Sequence, residues 1–188
     1  MTFLDRKSLE AIGFCDLGKN VKVSDKAVIY DANKISIGDN TRIDDFCVIS
    51  GRVSLGRNVH VAVFSNVAGG SLGIKFEDFS GLAYSVNVFT QSADYSGAAL
   101  TNPTVPKEFV NDSSAAVVIG RHVIVGAGSI IFPGVILAEG CSIGAMSMVT
   151  TSTEPWGVYV GIPAKRLKDR TRELLQLERN YLAQEDLG

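Results

Sequence analysis

Two histidines are the first candidates for acid–base chemistry in this chain, which contains no others. An imidazole can take up a proton near neutral pH, so it can serve as a general base for an attacking hydroxyl or amine. His60 lies in NVHVAVFSN and His122 lies in GRHVIVG. We expect His122 to be a surface residue. His60 also points outward, and the sequence leaves it open as an exposed structural residue, a general base or a substrate-binding residue.

The segment FTQSADYSG, residues 89–97, supplies a second set of polar side chains. Asp94 can accept a proton or bind a hydroxyl, although a turn at the start of a loop uses an aspartate equally well. Asn66 and Asn87 can bind hydroxyls through their amides or simply satisfy turns. The candidate substrate-binding residues are Asn66, Asn87, Asp94 and Tyr95, and the candidate catalytic residues are His60 and Asp94.

A repeat of six residues indicates which structural elements position these side chains. Aliphatic side chains recur at Ile37, Ile43, Ile49, Leu55, Val61 and Val67. They recur again at Ile119, Val125, Ile131, Leu137, Ile143 and Val149. An α-helix turns by about 100° per residue, so a step of six would scatter these side chains around its surface. Short strands separated by turns keep them on one side, and three such strands close a triangular coil.

The repeat has three irregularities. It begins weakly at Leu17 and slips by two residues before Ile37. The segment AGGSLGIK then adds three residues before Phe76, which we interpret as a bulge in one coil edge. The hexads stop after Val88, and residues 89–118 are therefore expected to form a long loop excursion from the stack of coils.

Three cysteines, an odd number in a chain of this length, argue against a disulfide framework. Cys47 and Cys141 fall on inward positions that small residues occupy, and Cys15 does so if the upstream count holds. We therefore interpret all three as small core residues. A thiol inside the core cannot form an acyl-enzyme, so any group transfer would be direct.

Composition and charge describe an ordinary globular protein, with 46% hydrophobic residues, 20% charged residues and a net charge of −2. Such a balance provides no basic surface for nucleic acid or an anionic membrane. The apolar runs are too short to span a bilayer, and charges interrupt the N-terminal segment where a signal peptide has its apolar core. We therefore expect a cytoplasmic protein that binds no nucleic acid and spans no membrane.

Helical spacing is found only towards the two ends of the chain. The N-terminal segment SLEAI is a candidate short helix, with Ser8 as its N-cap. After Pro163, leucines and Tyr181 recur among alternating charges, which predicts an amphipathic helix of about twenty residues.

The hexads resemble those of the hexapeptide-repeat acyltransferases. The resemblance covers roughly residues 17–170 and is strongest in IGRHVIVGAGSIIFPGVILAEGCSIGAMSMVT and in the exit segment EPWGVYVGIPAKRLKDR. It implies a mainly β fold, a left-handed parallel β-helix that works as a homotrimer, with acetyl-CoA as co-substrate and no metal. We accordingly expect an N-terminal cap over residues 1–16, a β-helix over 17–162 that contains the excursion, and a C-terminal helix over 163–188.

The resemblance also implies a place for the co-substrate, which the family binds in a cleft between neighbouring β-helices. Two alanines one coil apart match residues that leave room for the pantetheine arm, two threonines match a Thr-Lys pair in the same groove, and three cations match phosphate contacts. These residues are Ala127, Ala145, Thr150, Thr151, Lys165, Arg166 and Lys168. Thr151 stands where the family has lysine, so one phosphate or adenine contact would be missing.

The excursion is similar, through DYSG and LTNPTVP, to that of a subgroup found with O-antigen and capsule biosynthesis. That subgroup also has a histidine where His60 stands. Many relatives that acetylate sugars or chloramphenicol have a histidine in this loop, and the matching position here is Ala93. His60 is therefore the preferred base.

The resemblance implies an acetyl-CoA-dependent transferase that acetylates a sugar hydroxyl in surface-polysaccharide biosynthesis, on a sugar or nucleotide-sugar acceptor. One alternative is N-acetylation of an amino nucleotide-sugar, because an amine that arrives unprotonated needs less from a base. Another is a non-catalytic binding protein derived from an acyltransferase. A zinc carbonic anhydrase of this fold would need three histidine ligands, and an ice-binding β-helix would need a regular threonine ladder, and the sequence provides neither.

Overall fold

The computed structural model describes residues 1–185 as a stack of short strands wound into a β-helix, with one α-helix near each end. Helix α1 spans Arg6–Ile12 and helix α2 spans Leu174–Glu185. Between them, each hexad of the sequence forms one strand and one turn, so three hexads complete a coil. The mainly β fold predicted from the hexads is confirmed.

The strands are numbered along the chain. Before the excursion they are β1 (Asp16–Leu17), β2 (Lys22–Val23), β3 (Val28–Ile29), β4 (Ile35–Ile37), β5 (Arg42–Ile43), β6 (Val48–Ser50), β7 (Val53–Leu55), β8 (His60–Val61), β9 (Asn66–Ala68), β10 (Ile74–Phe76), β11 (Gly81–Leu82) and β12 (Asn87–Phe89). From the excursion onward they are β13 (Gln91–Ser92), β14 (Ser113–Ser114), β15 (Val117–Ile119), β16 (Ile124–Val125), β17 (Ile130–Ile131), β18 (Ile136–Leu137), β19 (Ser142–Ile143), β20 (Met148–Val149), β21 (Gly157–Gly161) and β22 (Ala164–Asp169). Short 3₁₀ helices span Ala32–Lys34 and Lys107–Phe109.

Equivalent strands of successive coils pair in parallel and build three faces. Face 1 contains β1, β4, β7, β10, β15 and β18, and face 3 contains β3, β6, β9, β12, β17 and β20. Face 2 contains β2, β5, β8, β11, β16, β19 and β21, with β22 added antiparallel at its edge. We call the turn from face 1 to face 2 corner A, the turn from face 2 to face 3 corner B, and the turn from face 3 back to face 1 corner C. Strands β13 and β14 pair antiparallel within the excursion.

The aliphatic series of the sequence fills the centre of the coils. Its members stand on one another in register, as Ile43 stands on Val61 in the next coil. Their side chains are almost completely buried. Cys47 and Cys141 are buried with them as predicted, whereas Cys15 is exposed. Cys15 precedes the first strand of the first coil, so it lies beside the enclosed core and not within it.

Close approach of the coils explains the small residues at the corners. At corner B the backbone takes the left-handed conformation at Phe46, Phe64, Ser85, Gly128 and Met146. A Cβ atom on Gly126, in the same corner, would lie 2.4 Å from the backbone nitrogen of Ala145 one coil away. A larger residue at such a position would force the coils apart and break their hydrogen bonds.

The irregularities of the repeat lie at corner C. The 3₁₀ helix Ala32–Lys34 takes up the two extra residues before β4. Gly70 and Gly73, both at positive φ, lie in the bulge predicted for AGGSLGIK. The excursion begins after β12 and ends before β15, so it is slightly shorter than the predicted range 89–118.

The N-terminal helix begins earlier than predicted, and its N-cap is Asp5 and not Ser8. The Asp5 carboxylate accepts a hydrogen bond from the backbone nitrogen of Ser8 at 2.8 Å. A carboxylate at this place also interacts favourably with the helix dipole, so Asp5 is the better cap. The hydrogen bonds from Ser8 lower the pKa of Asp5.

The C-terminal segment contains a strand as well as a helix, which corrects the prediction of one helix over 163–188. Residues 164–169 form β22, whose backbone pairs with the last edge of face 2 and covers it. Helix α2 begins only at Leu174, and residues 186–188 lie outside the described part of the chain. No helix in residues 1–185 has the length and hydropathy of a membrane span.

Helix α2 packs along corner A and ties several coils together. Glu178 accepts hydrogen bonds from Arg121 and from His122 Nε2, the latter at 3.1 Å. The Tyr181 hydroxyl accepts a hydrogen bond from Asn58 at 3.1 Å, two coils away from His122. His122 is consequently only 6% exposed, and the prediction of a surface residue is wrong because α2 covers this corner.

Gly140 tests how closely corner A is packed. Its φ is +71°, and a Cβ atom there would lie 2.3 Å from the ring of Trp156. We expect Gly140→Ala to lower the free energy of unfolding by about 2–5 kcal/mol. The strain of a left-handed backbone and the overpacking of the new Cβ atom against Trp156 both contribute to this loss.

Gly13→Ala is the matched control for this substitution. Gly13 has a φ of +80°, but no heavy atom lies within 4 Å of its Cβ position. We expect it to lose only about 1–2 kcal/mol through strain. Urea unfolding of both variants at one protein concentration measures the difference, and equal losses would contradict the role of packing against Trp156.

Candidate active site

His60 stands on the outer side of face 2, in the short strand β8 between corners A and B. Strand β8 turns it outward because the following residue, Val61, fills the core. Arg42 stands one coil before it and Gly81 one coil after it, in direct register. The side chain of His60 is 49% exposed, so the outward position predicted from the hexad is confirmed.

Asp44 holds the imidazole of His60 from below. His60 Nε2 donates a hydrogen bond to Asp44 Oδ2 at 2.8 Å, and Arg42 Nε donates one to Asp44 Oδ1 at 2.6 Å. The side chain of Asp44 is only 5% exposed, so these two donors are its principal environment. Within residues 1–185, His60 Nδ1 has no hydrogen-bond partner.

A groove of about 670 Å³ opens above His60, between face 2 and helix α2. Gly81, Ala83 and Ile124 line it on the face 2 side, and Leu177 lines it on the helix side. Gly81 occupies an outward position without a side chain, which leaves a hollow beside the imidazole. Its backbone conformation is one that other residues also adopt, so the hollow results from the choice of glycine and not from the turn geometry.

A short strip of two small residues, Ala127 and Ala145, lies at corner B in successive coils, beyond the exposed Tyr84. The backbone nitrogen of Met146 donates to the carbonyl of Ala127 at 2.8 Å, and that of Gly128 donates to the carbonyl of Tyr84 at 2.9 Å. These bonds stack Tyr84, Ala127 and Ala145 in successive coils. The predicted spacing of the two alanines by one coil is therefore confirmed.

The three cations predicted to bind phosphates lie on β22 but in different surroundings. Lys165 and Lys168 are exposed and make no ion pair within residues 1–185. Arg166 lies opposite Tyr159 and forms ion pairs with Asp169 and Glu154. Hydrogen bonding to Asp169 raises the pKa of Arg166. These two carboxylates compete with any phosphate for Arg166, so the lysines are the better candidates.

Asp94 forms the turn that opens the excursion. Its Oδ1 accepts a hydrogen bond from the backbone nitrogen of Ser96 at 2.7 Å, and Asn111 Nδ2 donates to its Oδ2 at 3.5 Å. Hydrogen bonding from Ser96 lowers the pKa of Asp94, which keeps the carboxylate ionised. Tyr95 beside it is 90% exposed. The carboxylate is thus well suited to hold a cation and less suited to take a proton.

Asn66 and Asn87 stand directly above each other on face 3, as predicted from the repeat. They are the first residues of β9 and β12 and so lie at the corner B end of this face. Val48 and Ile130 occupy the neighbouring coils at the same position, so the two amides form an isolated pair. Asn87 Nδ2 donates only a long hydrogen bond, of 3.4 Å, to the carbonyl of Ser85.

The predicted residues fall into two groups on opposite sides of face 3. The two alanines lie at corner B, and His60 lies on face 2, which ends at that corner. Asp94 and the exposed pair Thr150 and Thr151 follow strands of face 3 and lie towards corner C. One chain therefore does not bring all the predicted residues together.

The buried thiols and the acidic residues provide no second reaction centre. Burial raises the pKa of Cys47 to about 11, so this thiol carries no charge near neutral pH. Its Sγ lies 3.1 Å from the carbonyl oxygen of Ala62, to which it donates. Among residues 1–185, no three histidine, cysteine, aspartate or glutamate side chains lie close enough together to hold a metal ion.

Sequence reasoning missed Asp44 and Gly81. One coil is about eighteen residues, so the residue below His60 is Arg42, and Asp44 follows two positions later. Counting back one coil from His60 would have found this carboxylate. Gly81 would have been found in the same way, except that the three-residue bulge lengthens the coil between them.

The comparisons with known proteins agree with this geometry, although no protein-family model matches the chain. The chain is 44% identical over 181 residues to the dTDP-4-amino-4,6-dideoxy-D-glucose acyltransferase of Escherichia coli, a match that covers 95% of this chain and 94% of that protein. A shorter match, 35% identical over 74 residues, is to the putative lipopolysaccharide biosynthesis O-acetyl transferase WbbJ of Escherichia coli K12. It covers 39% of this chain and 38% of WbbJ.

Among solved structures, the chain is similar to AntD, an N-acyltransferase from Bacillus cereus. The AntD complex with dTDP and 3-hydroxybutyryl-CoA has a TM-score of 0.96 and 43% identity, covering 98% of each chain. A single-residue variant of AntD in complex with dTDP-4-amino-4,6-dideoxyglucose and coenzyme A has a TM-score of 0.96 and 44% identity, covering 97% of this chain and 98% of AntD. The agreement confirms the left-handed parallel β-helix. The chain therefore belongs to the hexapeptide-repeat acyltransferase family.

Proposed function

We propose that this protein transfers a short acyl group from acyl-coenzyme A to the 4-amino group of a dTDP-linked 4-amino-4,6-dideoxy sugar. The observation that carries the proposal is the match over 95% of the chain to an acyltransferase of that sugar. The AntD complexes support it, because acceptor and coenzyme A are bound to the same fold. The N-acylating alternative is thus better supported than O-acetylation of a polysaccharide sugar, for which the WbbJ match covers only 39% of the chain.

The strip at corner B fits the extended arm of acyl-coenzyme A, whose thioester supplies the acyl group. Its small residues, Ala127 and Ala145, leave the edge of the coils open along two successive turns. Lys165 lies where β21 ends and β22 begins, near corner B, so it provides positive charge for phosphates beyond the last alanine, whereas Lys168 pairs with Val158 nearer corner A. Tyr84, which follows the strip at corner B, lines the groove together with His60. This geometry favours His60 as the group beside the reacting carbonyl.

The amino sugar attacks as the free amine, so an ammonium first releases one proton to solvent. The acyl transfer itself then moves one proton from nitrogen to sulfur. As the C–N bond forms, His60 accepts the second proton from nitrogen, and as the C–S bond breaks, it returns that proton to the departing sulfur. Asp94, whose carboxylate stays ionised, binds the arriving ammonium and not the proton. The two candidate catalytic residues thus receive different roles.

The separation of these residues across face 3 supports a site shared between subunits of a homotrimer. In such a trimer, corner B of one subunit faces the excursion of the next, so His60 and Asp94 come from different chains. Exposed apolar side chains at corner B support a covering partner, since Phe64 is 59% exposed and Tyr84 is 62% exposed. The cleft would also unite the alanine strip with the threonines beyond β20.

The acceptor tests the proposal directly. Purified protein is incubated with acetyl-CoA or 3-hydroxybutyryl-CoA and with dTDP-4-amino-4,6-dideoxyglucose, and the product is detected by mass spectrometry. We expect an N-acylated sugar and release of one thiol per product. The matched control is dTDP-6-deoxyglucose, which has a hydroxyl in place of the amine and should not react.

The outcomes of this assay separate the candidate functions. Transfer to the hydroxyl sugar but not to the amine would favour the O-acetyltransferase interpretation. Binding of acyl-coenzyme A without transfer to either sugar would favour the non-catalytic alternative.

Mixed oligomers test whether neighbouring chains share the site. We expect His60→Gln and Asp94→Ala each to lower kcat/KM by roughly 100-fold or more. When the two inactive variants are co-refolded, about a quarter of the sites in a cyclic trimer should combine an intact His60 with an intact Asp94. Activity should return to that extent, with sedimentation confirming the trimer.

The activity of the mixed oligomers shows whether His60 and Asp94 act from one chain or from two. If His60 and Asp94 act within one chain, mixing restores nothing and the shared site is excluded. Asp112→Ala provides the control in the same excursion. Within residues 1–185 the Asp112 carboxylate accepts a side-chain hydrogen bond only from Gln91 Nε2, at 2.6 Å, so this variant should leave activity unchanged.

A further inference from the structure

We infer that Asp44 is a positioning residue for the proposed reaction, which fixes the tautomer and orientation of His60 so that Nδ1 is the proton acceptor. The inference rests on the proposed function for its catalytic part. Its structural part rests on a chain of two hydrogen bonds, from Arg42 to Asp44 and from His60 to Asp44.

The chemistry of the donors and acceptors determines which nitrogen of His60 carries the proton. A carboxylate only accepts hydrogen bonds, so the contact of 2.8 Å to Asp44 Oδ2 requires a hydrogen on His60 Nε2. In a neutral imidazole the other nitrogen then has a free lone pair. That nitrogen, Nδ1, is the one without a hydrogen-bond partner in residues 1–185.

Asp44 is held firmly enough to impose this arrangement. Its side chain is 5% exposed, whereas those of Arg42 and His60 are 45% and 49% exposed. The β5–β8 ladder fixes the spacing, because Arg42 pairs with His60 and the backbone nitrogen of Asp44 donates to the carbonyl of Val61 at 3.0 Å. The imidazole therefore stands on a buried and fully bonded support.

The groove beside the imidazole has room for the amino sugar that accepts the acyl group. His60 lines the groove together with Gly81, whose missing side chain leaves the space above the ring open. A side chain at position 81 would occupy the outward site directly above His60. Asp44 fixes the imidazole on one side, and the space beside Gly81 leaves its other side open to the amino sugar. A positioned general base requires both.

Asp44→Asn tests the tautomer without changing the size of the side chain. Arg42 can only donate, so the amide oxygen of the new residue should face Arg42 and its amino group should face His60. The amino group then donates to Nε2, which moves the proton of His60 to Nδ1. Two-bond ¹H–¹⁵N correlation spectra report this exchange, and the chain has only one other histidine to distinguish.

We expect the unaltered protein to have His60 in the Nε2–H form and Asp44→Asn to have it in the Nδ1–H form. In the acyl-transfer assay, Asp44→Asn should lower kcat roughly 10- to 100-fold with little change in the KM of the acceptor. In a His60→Gln background, the same substitution should lower kcat no further. A merely structural role would weaken both backgrounds equally.

Asp45→Asn is the matched control, because it removes the adjacent carboxylate. Asp45 contacts Ser24 and Lys26 and not His60. It should change neither the tautomer nor kcat.

The results distinguish the inference from the proposed function. An Nδ1–H tautomer in the unaltered protein, or an unchanged tautomer in Asp44→Asn, overturns the role of Asp44 while acyl transfer can still proceed. The tautomer of the unaltered protein decides this point even if the variant does not fold. Absence of acyl transfer by an unaltered protein with the expected tautomer overturns the proposed function and with it the catalytic part of the inference.

Discussion

Parallel pairing of each coil with the next, in register, is the constraint on which the rest of this structure depends. Strands in such a ladder lie about 4.8 Å apart, so a residue in one coil has a fixed neighbour in the next. Inside, this arrangement stacks aliphatic side chains of similar size, such as Ile43 on Val61. Outside, it makes columns of side chains, and the column Arg42, His60 and Gly81 is one of them. The chemistry of the site is therefore set by neighbours that are far apart in sequence.

The same constraint explains why the proposed binding residues lie at corners and edges. At the corners, backbone approaches backbone so closely that Gly126 has no room for a side chain. The small residues Ala127 and Ala145 leave a short open strip at corner B, whereas Phe64 and Tyr84 in earlier coils of this corner are large and exposed. The faces are flat and offer few enclosed spaces, so the groove beside His60 needs helix α2 as its second wall.

The sequence predicts much of the fold because a strict period leaves little freedom. The inward residues, the bulge in AGGSLGIK and the alanines one coil apart all follow from counting. The prediction for His122 was wrong because its burial depends on α2, an element of different period whose docking surface no repeat specifies. Likewise, β22 forms because the last edge of face 2 needs backbone partners, which side-chain periodicity does not encode.

The candidate site was less predictable than the fold, for a related reason. The outward position of His60 follows from its hexad, but the contact with Asp44 arises between coils and is not a local pattern. The family resemblance drew attention to the excursion, but it did not predict that Asp94 and His60 lie on different sides of face 3. The competing partners of Arg166 also come from separate elements.

The excursion does not interrupt the pairing of strands between the coils before and after it. Strand β10 pairs directly with β15, and β12 with β17, as though the intervening residues were absent. Because the two ends of the loop are already held together, its length adds only a slowly growing entropic cost. The segment can consequently be exchanged for a longer, shorter or differently charged one with little effect on the scaffold. The residues of the excursion, Asp94 among them, can thus vary independently of the coils, whereas His60 and Asp44 are part of the coils themselves.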